Sequence, residues 1–120
     1  MRLCIVVPMH NEEAIAEESI TTIIDYARKL PHIIIVAAVN DGSTDNTGNI
    51  LANLKNRYAG DNLQLISHCR NKGYGAALAS GVKFAVDNNY DYVIFMDSDL
   101  TNHPRYLSRF CEKIEEGWDY

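Results

Sequence analysis

Short apolar runs alternate along this chain with longer segments in which apolar residues follow a helical period. Four apolar runs predict strands over 3–8, 33–39, 63–67 and 91–96, because β-branched and long apolar side chains are frequent in them. Between them, spacings of three and four predict two buried helical faces. The residues on those faces are Ile20, Ile23, Ile24 and Ala27, and then Ile50, Leu51, Leu54 and Tyr58. Strands that alternate with helices are typical of a parallel sheet built from βαβ units.

Polar, small and proline residues predict where the helices begin and end. Asn11 is expected to cap a first helix that begins at Glu12, and Pro31 ends that helix. The residues that can cap the second helix are Ser43, Thr44 and Asp45. The small residues of 76–81 predict a third helix that lies close to the sheet. Pro104 is expected near the first turn of a fourth helix, where a missing N–H costs little.

The fold class predicted by these elements is α/β, a Rossmann-like half-sheet that is mostly parallel and has helices on both faces. Right-handed crossovers and the usual strand order, 3-2-1-4, place the first and fourth strands side by side. The turns at 8–12, 40–44 and 97–99 then converge at one edge of the sheet. Open α/β sheets bind ligands in the crevice at that edge, so these turns form the candidate site.

Length, charge and cysteine content narrow the class of protein. A chain of 120 residues suits one domain, and we expect a single domain over 1–120. The formal net charge of -5 argues against nonspecific nucleic-acid binding. Three widely spaced cysteines with no CxxC pair indicate reduced thiols, with Cys4 in the core. No apolar run approaches the ~20 residues that span a bilayer, so we expect a cytoplasmic protein, with peripheral contact at the inner face of the membrane left open.

Two carboxylates, Asp97 and Asp99, follow the fourth apolar run, which we expect to form a buried strand. Like charges this close repel each other unless a cation lies between them. Oxygen ligands suit Mg²⁺ or Mn²⁺, which usually arrive with a phosphate-bearing substrate. The plain alternative is a polar strand end with helix-capping carboxylates. With Thr101 the pair also matches the nucleophile motif of haloacid-dehalogenase-type phosphatases, but too few residues follow it for the other motifs of those enzymes.

The other turns allow both a structural and a binding interpretation. Asp41 either stabilises the turn after the second strand or accepts hydrogen bonds from a base or a ribose. His10 is a surface histidine, a ring that stacks on a base, or a proton-transfer group, and stacking is the preferred interpretation. The glycine-containing loop with Arg70 and Lys72 either meets a diphosphate or forms only a tight turn followed by a closely packed helix.

Four motifs taken together resemble the family 2 glycosyltransferases of the GT-A fold, and within them the polyprenyl-phosphate branch such as dolichol-phosphate mannosyltransferases. The motifs are VVPMHNEE at 6–13, VNDGSTDNT at 39–47, NKGYGAA at 71–77 and MDSDL at 96–100. Their order makes the match specific, and they cover nearly the whole chain. The resemblance implies an inverting enzyme that binds a nucleoside-diphosphate sugar with Mg²⁺ or Mn²⁺. The sugar would pass to an acceptor such as a polyprenyl phosphate.

The resemblance also implies roles for particular side chains. Residues that would line the nucleoside pocket are Pro8, His10 and Glu12. Residues that would hold the base are Val39 and Asp41, and those beside the ribose and diphosphate are Asp97 and Ser98. The metal ligands would be Asp97 and Asp99. Family catalytic domains are longer, so we expect a fragment truncated after the Asp-x-Asp motif, without the acceptor-binding half and with no catalytic base assigned.

Two alternatives remain open at this point. A nucleotidyltransferase with a similar half-sheet would usually carry a glycine-rich signature after the first strand, and the residues at 8–11 do not form one. A nonenzymatic nucleotide-binding or assembly module would use the sheet for association. An exposed sheet edge would then favour a homo-oligomer.

Overall fold

The computed structural model describes residues 1–58, 62–99 and 107–116, in which strands and helices alternate. The strands are β1 (Arg2–Met9), β2 (Ile33–Asp41), β3 (Leu63–His68) and β4 (Tyr92–Phe95), and the helices are α1 (Ala16–Arg28), α2 (Thr47–Arg57), α3 (Tyr74–Asp87) and α4 (Leu107–Glu115). The sheet order is β3-β2-β1-β4 and every pairing is parallel, which confirms the predicted α/β fold. Leu100, Thr101 and Pro104 lie outside the described residues. None of the helices in the described ranges is long and apolar enough to cross a membrane.

The two central strands divide the core into two layers. Successive side chains of a strand point to opposite faces, so alternate residues of β1 enter different clusters. Leu3, Ile5 and Val7 pack with the buried faces of α1 and α2, as the helical spacing predicted. Cys4 and Val6 pack on the other side, with residues of α3. Because helices cover both faces, these strands are continuous apolar runs, and the prediction of covered central strands is confirmed.

Helix α3 lies very close to the sheet at Gly81. A Cβ atom built on Gly81 would stand 2.4 Å from Cγ1 of Val6, well inside normal contact. Two further small residues on the same face, Ala77 and Ala85, are also buried. The small residues therefore allow this close approach, as the sequence predicted.

Strand β4 corrects one expectation. The run over 91–96 was expected to form a buried strand, yet β4 is partly exposed and the Phe95 side chain is 46 % exposed, whereas Met96 directly after it is buried. In the described part of the sheet β4 pairs with β1 alone, so it is an edge strand. An apolar run does not by itself make a strand buried, because burial also requires a neighbouring strand on each side.

The predicted cap of the first helix is also wrong. Helix α1 begins at Ala16, and the chain first turns at Glu12, whose carbonyl accepts the Ala16 N–H at 2.9 Å. Asn11 adopts a left-handed φ of 51°. Its side-chain oxygen accepts the N–H groups of Thr44 at 2.8 Å and Asp45 at 3.3 Å. The Asn11 amide thus joins the turn after β1 to the turn after β2, instead of capping its own helix. The helix ends at Arg28, before Pro31.

Asp45, one of three candidate caps, supports the start of α2. Its carboxylate accepts the Thr47 N–H at 2.9 Å and the Thr47 hydroxyl at 2.6 Å. The residue directly before the helix, Asn46, makes no side-chain capping hydrogen bond to the backbone of the described residues, and its side-chain oxygen accepts the Asn49 amide at 2.8 Å instead. The carboxylate lies at the positive end of the helix dipole, where a negative charge is favourable.

The cysteines of the chain are free thiols. Cys4 is fully buried in the core, as predicted, and burial raises the pKa of its thiol to about 12. Cys111 on α4 is also buried, and Cys69 is exposed. Cys4 therefore acts as a small apolar side chain.

Candidate functional site

The turns after β1, β2 and β4 meet at the carboxyl edge of the sheet and, with the start of α3, form a crevice of about 370 Å³. The predicted site residues that line it are Pro8, His10, Glu12, Asp41, Asp97, Ser98 and Asp99. The structure adds Met9, Asn71, Gly73, Tyr74 and Ala77. Val39 is not among the lining residues, because its side chain is fully buried in the cluster beneath α3. The predicted convergence of the three turns is thus present, with Val39 behind the crevice wall.

Asp41 holds a buried carboxylate at the end of β2. Oδ1 accepts the His68 Nδ1–H at 2.8 Å and the Lys72 N–H at 2.9 Å, and Oδ2 accepts the Gly73 N–H at 2.9 Å. Burial acts to raise its pKa, but the hydrogen bonds from His68, Lys72 and Gly73 outweigh burial and hold the pKa below its usual value. A carboxylate accepts about four hydrogen bonds. The three donors found among the described residues therefore leave one acceptor position, on Oδ2.

His68 is a site residue that the sequence did not reveal. It ends β3, opposite Asp41 in the parallel register, and its side chain is 7 % exposed. Its Nε2 lies 2.8 Å from the Ser80 hydroxyl oxygen on α3. The predicted third strand stopped one residue short of His68. Only the β2–β3 register, which the sequence leaves unspecified, places it against Asp41.

The His10 ring is fixed through both of its nitrogens. Nδ1 lies 2.8 Å from the backbone carbonyl oxygen of Asp41, and since a carbonyl only accepts, Nδ1 carries the proton. In the neutral ring Nε2 is then an acceptor, and the Asn71 amide nitrogen lies 3.2 Å from it. Both nitrogens are engaged in holding the ring between two turns. This geometry favours the stacking interpretation over proton transfer.

Gly42 allows the loop before α3 to cross the turn after β2. It has a φ of 64°, which L side chains rarely adopt, and a Cβ there would lie 2.1 Å from the carbonyl carbon of Arg70. This close crossing brings the amides of Lys72 and Gly73 to Asp41. The Arg70 and Lys72 side chains are exposed and do not line the crevice. The loop thus contributes backbone amides, in agreement with its structural interpretation.

The turn at 97–99 is anchored from below by helix α1. The Ser19 hydroxyl donates a hydrogen bond to the backbone carbonyl of Ser98, and both residues are buried. On the crevice side, the Tyr74 hydroxyl lies 3.5 Å from Oδ1 of Asp97, and Asp99 is exposed. In residues 1–58, 62–99 and 107–116 there is no group of three or more His, Cys, Asp or Glu side chains that could hold a metal ion. Asp97 and Asp99 are the carboxylates that this turn offers.

The fold and the crevice define an α/β domain of the GT-A type, with its candidate site at the carboxyl edge of a parallel sheet. The family model for glycosyl transferase family 2 matches residues 4–120. The chain belongs to this family, and the resemblance found in its motifs is confirmed.

Two curated relatives and one solved structure illustrate the likeness. An uncharacterized glycosyltransferase of Synechocystis sp. is 32% identical over 120 residues, covering 99% of this chain and 36% of the relative. The undecaprenyl-phosphate 4-deoxy-4-formamido-L-arabinose transferase of Pseudomonas fluorescens is 33% identical over 115 residues, covering 96% of this chain and 33% of the relative. The crystal structure of S. aureus TarS 1-349 in complex with UDP has a TM-score of 0.67 at 25% identity, covering 97% of this chain and 32% of that one. The chain spans about a third of the length of these relatives.

Proposed function

We propose that the crevice binds a nucleoside-diphosphate sugar together with a divalent cation, as the donor-binding domain of a sugar transferase. One observation carries the proposal: a single crevice contains both a buried carboxylate with a remaining acceptor position, Asp41, and the acidic turn of Asp97 and Asp99. A nucleoside diphosphate presents both matching groups, a base with N–H donors and a diphosphate that binds cations. We take residues 1–120 as one such domain.

Asp41 would recognise the base. Its last acceptor position suits a ring N–H, such as uracil or guanine presents. Pro8, His10 and Glu12 line the crevice beside it and would enclose the nucleoside, with the fixed His10 ring available for stacking. The family relationship and the UDP complex of the TarS structure support a nucleotide at this place. Val39 would support Asp41 from the core and not touch the ligand.

Asp97 and Asp99 fit a hard divalent cation, since carboxylate oxygens suit Mg²⁺ and Mn²⁺. With no group of three acidic or imidazole ligands in the described ranges, diphosphate oxygens and water would complete the coordination. When bound, the cation would neutralise charge on the departing diphosphate. Ser98 would lie beside the ribose and diphosphate. Tyr74, whose hydroxyl is near Asp97, would border the same region.

The acceptor is proposed by comparison with relatives, of whose length this chain spans about a third. The name of the Pseudomonas relative supports a polyprenyl phosphate acceptor. We propose that the sugar passes to it by direct displacement with inversion. Asp41, Asp97 and Asp99 would bind and orient the donor for that step, and we assign no catalytic base among the described residues.

Calorimetric titration with UDP and GDP, each with and without Mn²⁺, tests the donor site. We expect one of the two nucleotides to bind, with an affinity that depends on Mn²⁺. Asp99→Ala should abolish the metal-dependent part, whereas Asp25→Ala, which removes an exposed carboxylate from α1, should not. Binding of neither nucleotide would refute the proposal, and a stable dimer without nucleotide affinity would favour an assembly module.

A further inference from the structure

Three elements of the fold are joined by a partly buried chain of hydrogen bonds from Asp41 through His68 to Ser80, which we call the Asp41 chain. We propose that His68, held by Ser80, is a positioning residue that orients the Asp41 carboxylate toward the base of the nucleotide. The inference rests on the proposed donor site and adds to it a residue that does not touch the ligand.

The contacts of the Asp41 chain are short and sheltered from water. His68 Nδ1 lies 2.8 Å from Oδ1 of Asp41, and His68 Nε2 lies 2.8 Å from Oγ of Ser80. The side chains of Asp41 and His68 are 5 % and 7 % exposed. An aspartate carboxylate turns easily about its last torsion, because that well is broad. Lys72 and Gly73 donate from one loop, so a donor from another element, which His68 on β3 provides, is needed to fix the plane of the carboxylate relative to the sheet.

His68 supplies the only side-chain donor that the described residues give to this carboxylate; the other two donors are the loop amides of Lys72 and Gly73. With all three donors in place, the remaining acceptor position of Oδ2 points in one fixed direction. Without His68, Oδ1 keeps only the loop amide of Lys72, and the carboxylate can rotate with that loop. Base recognition should then weaken, while Asp97 and Asp99 at the acidic turn are unaffected.

Ser80 orients His68 in turn. In the neutral ring Nδ1 carries the proton given to Asp41, so Nε2 accepts the Ser80 hydroxyl proton. The contact ties the imidazole to α3, whose close packing on the sheet at Gly81 fixes the helix. The Asp41 chain thus connects the crevice to a helix that packs closely on the sheet.

Replacing His68 by asparagine or by glutamine distinguishes a positioning role of this residue from a role in packing alone. The side-chain nitrogen of Asn corresponds to Nδ1 of histidine, and that of Gln corresponds to Nε2. His68→Asn therefore keeps a donor for Asp41 and loses the Ser80 contact, whereas His68→Gln does the reverse. A residue that only fills space would lose similar function in both variants.

The experiment is calorimetric titration of wild type, H68N and H68Q in Mn²⁺, well below their unfolding temperatures. The probes are the nucleotide that wild type binds more tightly, UDP or GDP, and inorganic pyrophosphate, which has no base. We expect H68Q to bind the nucleotide about tenfold or more weakly, because hydrogen bonds to charged groups contribute about that much. H68N should stay within about threefold of wild type. Pyrophosphate binding should be the same in all three proteins.

Ser80→Ala provides a second variant, should H68Q not fold. It deletes one hydroxyl from α3 and should weaken nucleotide binding about threefold without changing pyrophosphate binding. Nucleotide binding by H68Q or S80A equal to that of wild type would overturn the inference and leave the donor site standing. Equal losses in H68N and H68Q, or a parallel loss of pyrophosphate binding, would also overturn it. Wild type that binds neither nucleotide would overturn both the donor site and this inference.

Discussion

Replacing Gly81 by alanine should disturb the packing of α3 on the sheet. The new Cβ would lie 2.4 Å from Cγ1 and 2.7 Å from Cγ2 of Val6. Carbon atoms pack at about 3.5–4.0 Å, so the helix and strand must separate by about 1 Å. Val6 is fully buried in β1, which is paired on both sides, so it has little freedom to move away.

Two opposing contributions determine how much Gly81→Ala changes the free energy of unfolding. Alanine is better than glycine in a helix by about 0.8–1.0 kcal/mol. Overpacking a core costs about 1–3 kcal/mol. The net expectation for Gly81→Ala is a loss of about 1 kcal/mol in the free energy of unfolding, measured by urea denaturation.

Gly75→Ala is the matched control. Gly75 lies in the same helix, and a Cβ there would meet nothing within 4 Å. This change should be neutral or stabilising by up to about 1 kcal/mol, so the difference between the two variants isolates the contact with Val6. In a Val6→Ala background both Cγ methyl groups are absent and the closest remaining contact is with Cβ at 3.1 Å, so Gly81→Ala should destabilise much less than in wild type.

A Gly81→Ala protein as stable as Gly75→Ala would refute the packing explanation. So would a penalty of the same size in the Val6→Ala background, since the two Cγ methyl groups that make the shortest contacts would then be gone.

Three further predictions concern the turns around the crevice. Gly42→Ala should destabilise the fold by about 2 kcal/mol or more in urea denaturation, because its φ is 64° and the added Cβ would overlap a neighbouring backbone. The lowered pKa of Asp41 stabilises the fold above its ordinary pKa, and this contribution is lost as pH falls through the folded-state pKa. Asp41→Asn should therefore be less stable than wild type at pH 7, and the gap should close in acid; a gap that is constant with pH would contradict this. Ser19→Ala leaves the buried Ser98 carbonyl without its donor and should cost about 1–3 kcal/mol in urea denaturation. Thr21→Ala, on the same helix, removes a hydroxyl that bonds, among the described residues, to carbonyls of α1 alone, so an equal loss there would count against the Ser98 explanation.

The central part of the fold could be predicted because its signals are local. Strands β1 and β2 are apolar at consecutive positions, and only a strand covered on both faces places every one of them in a core. For β4 the same signal failed, because burial of an edge depends on a neighbouring strand. The prediction that Asn11 caps the first helix failed for a related reason. Its side-chain oxygen accepts a hydrogen bond from the turn after β2 instead of from its own helix.

The residues of the candidate site also divide into those that local sequence signals predict and those that depend on contacts between distant elements. Asp41, Asp97 and Asp99 come shortly after the ends of apolar runs, so their place at the carboxyl edge follows from strand order. His68 and Ser19 contribute through contacts between elements distant in sequence. Such contacts depend on strand register and on the rotation of a helix about its axis, which hydrophobic periodicity does not specify to one residue.

Much of the framework that joins the three turns is made by main-chain groups. The amides of Lys72 and Gly73 bind Asp41, and Glu12 donates its N–H to Thr47 and accepts the Ala16 N–H with its carbonyl. Tyr74 also lines the crevice, but its side chain takes no part in these contacts. A substitution there should therefore change the surface offered to a ligand and leave this main-chain framework in place.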